Sequence, residues 1–153
     1  MSFAPCGMGV GSIDYVAEKT WGIGLPSDNE TGVIVYNLPE DAVKAIASRG
    51  IDYLRQLPCK KDNRDSRGRY HAWKETPIPA EGNWAESAGG EKSALPEVSN
   101  YLDKYGFGIR ISKSVETTIG NAISAPGSFF AYGRSGAMLV VPSKRQAFYV
   151  YAG

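Results

Sequence analysis

Ser128-Phe129-Phe130-Ala131-Tyr132, Ala137-Met138-Leu139-Val140-Val141 and Ala147-Phe148-Tyr149-Val150-Tyr151 are three five-residue runs made almost wholly of apolar and aromatic side chains. Gly133-Arg134-Ser135-Gly136 separates the first two, and Pro142-Ser143-Lys144-Arg145 the last two. Both linkers have turn composition, with glycine for unusual backbone angles and proline for a fixed φ. Runs and linkers this short pair antiparallel, because a parallel connection needs a dozen or more residues. Residues 137–141 and 147–151 therefore read as a C-terminal hairpin, with 128–132 beside it.

Working outward, Gly32-Val33-Ile34-Val35-Tyr36 is a β-branched strand bounded by Asn29 and Asn37-Leu38-Pro39. A helix follows: Asn37 or Leu38 caps it, Pro39 suits its first position, and Glu40 and Asp41 face the positive end of its dipole. Val43, Ile46, Ala47, Gly50, Leu54 and Leu57 form its buried stripe. Gly50 costs about 1 kcal/mol inside a helix, so a break is expected there. Pro96 opens a short helix with Val98, Tyr101, Leu102 and Tyr105 on one face and Gly106 as its stop. Residues 107–112 alternate like a strand. Ser114 is expected to cap a helix carrying Val115, Ile119, Ala122 and Ile123, ended by Pro126-Gly127. The start, 6–12, is glycine-rich and reads as irregular, with a short apolar stretch at 13–17.

Residues 58–94 read as a long irregular loop within the domain. They hold Pro58, Pro77 and Pro79 and show no periodicity, while Trp73 and Trp84 supply apolar area to pin parts of them down. A short strand around 69–73 is compatible with that. The expected fold is one α+β domain over 1–153: a mainly antiparallel sheet of four to five strands covered by two to three helices.

With 153 residues, 42% hydrophobic and 22% charged, the chain can bury a core without metal or disulfide support. No stretch approaches the roughly 18 apolar residues that span a bilayer. A net charge of +1 excludes a surface built throughout for nucleic acid. The charge is segregated, however. Residues 59–74 carry Lys60, Lys61, Arg64, Arg67, Arg69 and Lys74 against Asp62 and Asp65, whereas 75–103 are acidic apart from Lys92. Met1–Cys6 lacks the basic and apolar regions of a signal peptide. Cys6 and Cys59 are a disulfide candidate; pairing would favour an exported location, and free thiols the cytoplasm.

Chemistry-bearing motifs are sparse. One histidine and two distant cysteines do not make a zinc site, so neither metal nor cofactor is expected. Ser135 in Gly133-Arg134-Ser135-Gly136-Ala137 lies between strands, where a nucleophile elbow needs a strand-to-helix turn. Cys59 with His71 could form a thiolate–imidazole pair, but a helix C-terminus disfavours a thiolate. Gly7, Gly9 and Gly11 lack the strand and lysine of a phosphate loop. The leading reading is a non-enzymatic protein-binding domain of inhibitor, immunity or accessory type. Its surface is expected to combine Tyr149 or Tyr151 with Arg134, Lys144 and Arg145, since alternation sends half the late aromatics to each sheet face. The alternative is a ribonuclease- or phosphodiesterase-like enzyme with His71 and Glu75 as acid and base and Arg67 and Arg69 on the phosphate. A protein partner is favoured over nucleic acid, and the oligomeric state is left open.

Overall fold

The computed structural model describes residues 2–10, 12–21, 29–59, 67–106 and 109–153. In chain order the elements are β1 (Ser12–Trp21), β2 (Asn29–Asn37), α1 (Glu40–Arg49), α2 (Ile51–Arg55), β3 (His71–Glu75), α3 (Val98–Leu102), α4 (Lys113–Ile123), β4 (Phe129–Tyr132), β5 (Gly136–Val141) and β6 (Gln146–Ala152). The strands form one antiparallel sheet in the order β1-β2-β6-β5-β4-β3. Six strands exceed the expected four to five. The pattern misses β1 because this edge strand is largely exposed, with Ile13 and Val16 outward, so burial imposes no alternation on it. No helix among the described residues is long and apolar enough to cross a membrane.

Both faces of the sheet are covered. Phe148, Val150, Val33, Val35, Leu139 and Val141 point into a core shared with Ile119 and Ile123 of α4 and with Val98 and Leu102 of α3. Tyr149, Tyr151, Tyr36, Met138 and Val140 point the other way, into a core closed by Ala42 and Ile46 of α1, Leu54 of α2, and Ala4 and Met8 of the N-terminal strap. Every residue of β5 is buried. A strand buried on both sides reads as a continuous apolar run, which is what 137–141 displays.

Local chemistry sets the helix boundaries. Pro39 is the N-cap of α1, and Gly50, at φ 58°, breaks the stripe into α1 and α2 as its cost inside a helix implies. The cap of α4 is Ser112, whose Oγ accepts from the Val115 N–H at 3.3 Å, and not Ser114. Ser112 is held extended there because its N–H donates to the Tyr15 hydroxyl at 2.8 Å. The strand expected at 107–112 is not seen over 109–112, and 107–108 lie outside the described residues. Ile109 and Ile111 pack on the first core without joining a ladder, so packing alone accounts for their alternation. Tyr105 is exposed, not on the buried face of α3.

Within 58–94 lie β3, a 3-10 turn at Gly82–Trp84 and a bridge between Glu86 and Lys92, with 60–66 outside the described residues. Trp73 and Trp84 are both buried and pin this stretch to opposite cores. Cys6 and Cys59 are paired, with Cα atoms 5.4 Å apart. On the chain-entropy model a bridge across a separation of 53 residues contributes roughly 4 kcal/mol. Reduction, or Cys6→Ser with Cys59→Ser, should therefore lower the melting temperature by roughly 10 °C for a domain of this size. A melting curve unchanged by reductant would disprove that contribution.

Candidate functional site

The site grows from two close approaches. At Gly68, φ 79°, an added Cβ would come within 2.7 Å of the Ala4 carbonyl, and the Cys6 N–H donates to the Gly68 carbonyl at 2.9 Å. Only glycine lets the chain pass this close to the strap. At Gly133 an added Cβ would meet the Tyr70 ring at 2.9 Å and the Arg69 carbonyl at 3.1 Å. The 133–135 turn, closed by the Gly133 N–H donating to the Gly136 carbonyl at 2.8 Å, therefore rests directly on 69–70. Arg67 and Arg69, neighbours in the sequence, meet the distant Arg134 here.

They line a cavity of about 390 Å³ together with Phe3, Tyr70, Ser135 and Tyr149. That volume lies in the range of roughly 300–1,000 Å³ typical of small-ligand sites. No carboxylate side chain is among its described lining residues. The Arg67 guanidinium lies 6.0 Å from the Phe3 ring centroid, and each of the three arginines also has a further interaction within the fold. On the other side of the same turn, a cavity of about 370 Å³ is lined by Tyr101, Lys104, Tyr105, Tyr132 and again Arg134. Lys104 Nζ sits 5.8 Å from the Tyr101 ring and 5.0 Å from the Tyr105 ring. Tyr132 is held by the Trp84 indole N–H, which donates to its hydroxyl at 2.7 Å. Cations and aromatics thus alternate around one end of the sheet.

The buried phenols differ in how they are satisfied. Tyr70 donates to the Phe3 carbonyl at 2.6 Å, and burial, with Tyr149 and Tyr36 nearby, pushes its pKa up. Tyr151 donates to the Glu18 carboxylate; burial and that bond push its pKa up as well. Tyr149 is only 2% exposed and stacks on Phe3 at 4.5 Å, yet no described residue hydrogen-bonds its hydroxyl. Burial, followed by Tyr36, pushes this phenol up to about 12. A buried hydroxyl without a partner is uncommon and marks a place where something else can bond.

Of the residues expected to form a binding surface, Tyr149 and Arg134 line the arginine cavity together, whereas Tyr151, Lys144 and Arg145 do not. Tyr149 and Tyr151, at 2% and 7% exposed, both lie under the strap, because the face expected to be wet carries a second layer. Arg134 sits at one end of β5, and Lys144 and Arg145 at the other, roughly 20 Å away along an extended strand. Lys144 lines a groove beside Thr117 and Asn121 of α4. Arg145, at φ 53°, offers its carbonyl to the Leu38 N–H at 2.9 Å.

The enzyme set also disperses. His71 lines a separate cavity of about 490 Å³ with Arg55, Trp73, Lys74 and the Cys6–Cys59 bridge. Glu75, on the same strand, accepts from the Gly127 N–H at 3.2 Å and does not line that cavity. Arg67 and Arg69 face the cavity at the turn. A left-handed kink at Ala72, φ 56°, interrupts the β3 register between His71 and Lys74, so spacing along the sequence does not translate into a shared cleft. Cys59 is bridged, which removes the thiolate–imidazole pair. Lys104, Tyr105 and Phe3 were not singled out from the sequence. Only their charge or ring type marks them, and the fold alone carries them to Arg134.

Comparison with protein-family models, with curated proteins and with solved structures finds no match.

The raised phenols carry a pH dependence. Unfolded tyrosine ionises near pH 10, so native groups held above that value hold their protons more tightly than the unfolded chain does. The stability they contribute is complete below about pH 10 and is lost as pH rises through their native values. Absorbance titration at 295 nm should find Tyr70, Tyr101, Tyr149 and Tyr151 still protonated near pH 11 and ionising together with alkaline unfolding. A smooth titration of all nine tyrosines near pH 10 with the fold intact would contradict this.

Proposed function

We propose that this protein is a non-enzymatic recognition domain, of the inhibitor, immunity or accessory kind, that docks an acidic partner protein on the two cavities flanking the 133–135 turn. One observation carries the reading: Arg67, Arg69, Arg134 and Lys104 converge there with Phe3, Tyr70, Tyr105 and Tyr132, and no acidic side chain is among the described residues lining either cavity. Arginine and tyrosine are the side chains enriched at interface centres, because both bury large flat surfaces and still offer hydrogen-bond donors. Positive potential concentrated on one end steers an acidic partner and sets its orientation. The Cys6–Cys59 bridge supports an oxidising compartment, and so an exported protein. The dispersal of His71, Glu75, Arg67 and Arg69 takes away the geometric support for the phosphodiesterase alternative.

Two charge reversals test this. Arg69→Glu with Arg134→Glu should weaken capture of the partner from native extract at least about tenfold, since truncations at an interface centre cost 2 kcal/mol or more. Lys144→Glu with Arg145→Glu, at the far end of β5, should leave capture unchanged, as should His71→Ala. Equal losses from both double variants, or capture abolished by nuclease, would sink the reading.

A further inference from the structure

Resting on that reading of the turn surface, we propose that the cavity lined by Arg67, Arg69, Arg134, Ser135 and Tyr149 is a seat for one phosphoryl group, either free phosphate or a phosphate monoester on the partner. The donor set is what points to it. A guanidinium carries five N–H donors in a planar fork, so a guanidinium already engaged on one side still presents donors on another. Three of them wall this cavity, and Ser135 and Tyr149 line it beside them. Tyr149 is the independent sign. It is 2% exposed, it lines the cavity, and no described residue takes up its hydroxyl. Its neighbour Tyr70, also lining the cavity, has its one O–H donor taken by the Phe3 carbonyl.

Charge and shape then select among anions. A carboxylate brings one negative charge on two oxygens, whereas a phosphate monoester brings about −1.5 to −2 on three strong acceptor oxygens. Guanidinium forks offer more N–H donors than two carboxylate oxygens take up, and Arg–phosphate pairs gain from fork geometry. The phenol held at about 12 stays protonated at neutral pH, so it donates to the anion and does not repel it. A cavity of about 390 Å³ has room beyond the phosphoryl group itself, and the Phe3 and Tyr70 rings offer apolar walls for the carbon side of an ester. An internal phosphodiester, singly charged and flanked by sugars on both sides, suits an open groove better than this recess.

Calorimetric titration of the intact protein tests it with four probes: inorganic phosphate, a short phosphoserine peptide, its unphosphorylated form and a single-stranded oligonucleotide. The phosphoserine peptide should bind at one site and compete with inorganic phosphate. Arg69→Gln and Arg134→Gln should each weaken it about tenfold or more, as expected for a lost charge-assisted bond. Tyr149→Phe, which keeps the ring stack, should weaken it about threefold to tenfold. Lys144→Gln should change nothing. Binding of inorganic phosphate with this variant pattern, but no gain for the phosphopeptide over its unphosphorylated form, supports the seat and assigns it to a free anion. Failure of both phosphate and phosphopeptide to bind overturns the proposal, and so does an oligonucleotide that binds more tightly than either. Partner capture that still depends on Arg69 and Arg134 would then leave the recognition surface standing without its phosphoryl seat. Capture indifferent to both would remove the surface as well.

Discussion

A sheet whose two central strands are buried at every position but Gln146 has to be covered twice. β5 and β6 bury residues toward both faces, and a single layer of helices would leave Met138, Val140, Tyr149 and Tyr151 in water. At roughly 25 cal/mol per Å² of apolar surface, that exposure would outweigh the net stability of a small domain. The helices α3 and α4 close one face. The other needs α1, α2 and also residues 3–8, because the two helices do not reach the end of β6 where the tyrosines lie. The strap is thus part of the core, and it is fastened accordingly. The Phe3 N–H donates to the Tyr36 hydroxyl at 3.1 Å, the Phe3 carbonyl accepts from Tyr70, and the disulfide holds Cys6.

The arginine cavity is a by-product of that fastening. Rings on the second face lie flat against the sheet where glycines make room. An added Cβ at Gly32 would meet the Tyr151 hydroxyl at 2.6 Å, and at Gly136 the Tyr149 ring at 2.9 Å. Phe3, Tyr149 and Tyr151 stack in a near-parallel pile, and Tyr70 meets Tyr149 edge-on with ring centroids 6.3 Å apart. This pile is the floor on which Arg67, Arg69 and the 133–135 turn converge. Substitutions that disturb the second cover should therefore disturb this cavity without touching a cation.

What could be read from residues alone follows from which forces are local. Continuous apolar runs and turn residues are local, so the C-terminal hairpin and its neighbour strand were legible, as were the break at Gly50 and the proximity of Cys6 to Cys59. Exposure is not local. β1 escaped notice because a largely exposed edge strand has little burial to impose alternation on it, and 109–112 misled because packing on a core edge mimics alternation. Tyr149 and Tyr151 misled for a chemical reason: a tyrosine suits both a wet face and a buried one, and only the strap decides between them. The basic block at 59–74 was visible as charge. Its meeting with Arg134 and Lys104 was not, since that depends on two glycines allowing three segments to touch.

The Cys6–Cys59 bridge has one more consequence. Its ring of chain contains β1, β2, α1 and α2, about the first third of the protein, including the entire ladder between β1 and β2. A proteolytic nick anywhere inside that ring leaves a single covalent molecule, whose two pieces stay at very high effective concentration. Fragments from such a cut would separate only after reduction. The crosslink thus holds the first third of the chain to the rest even where a peptide bond within it is cut.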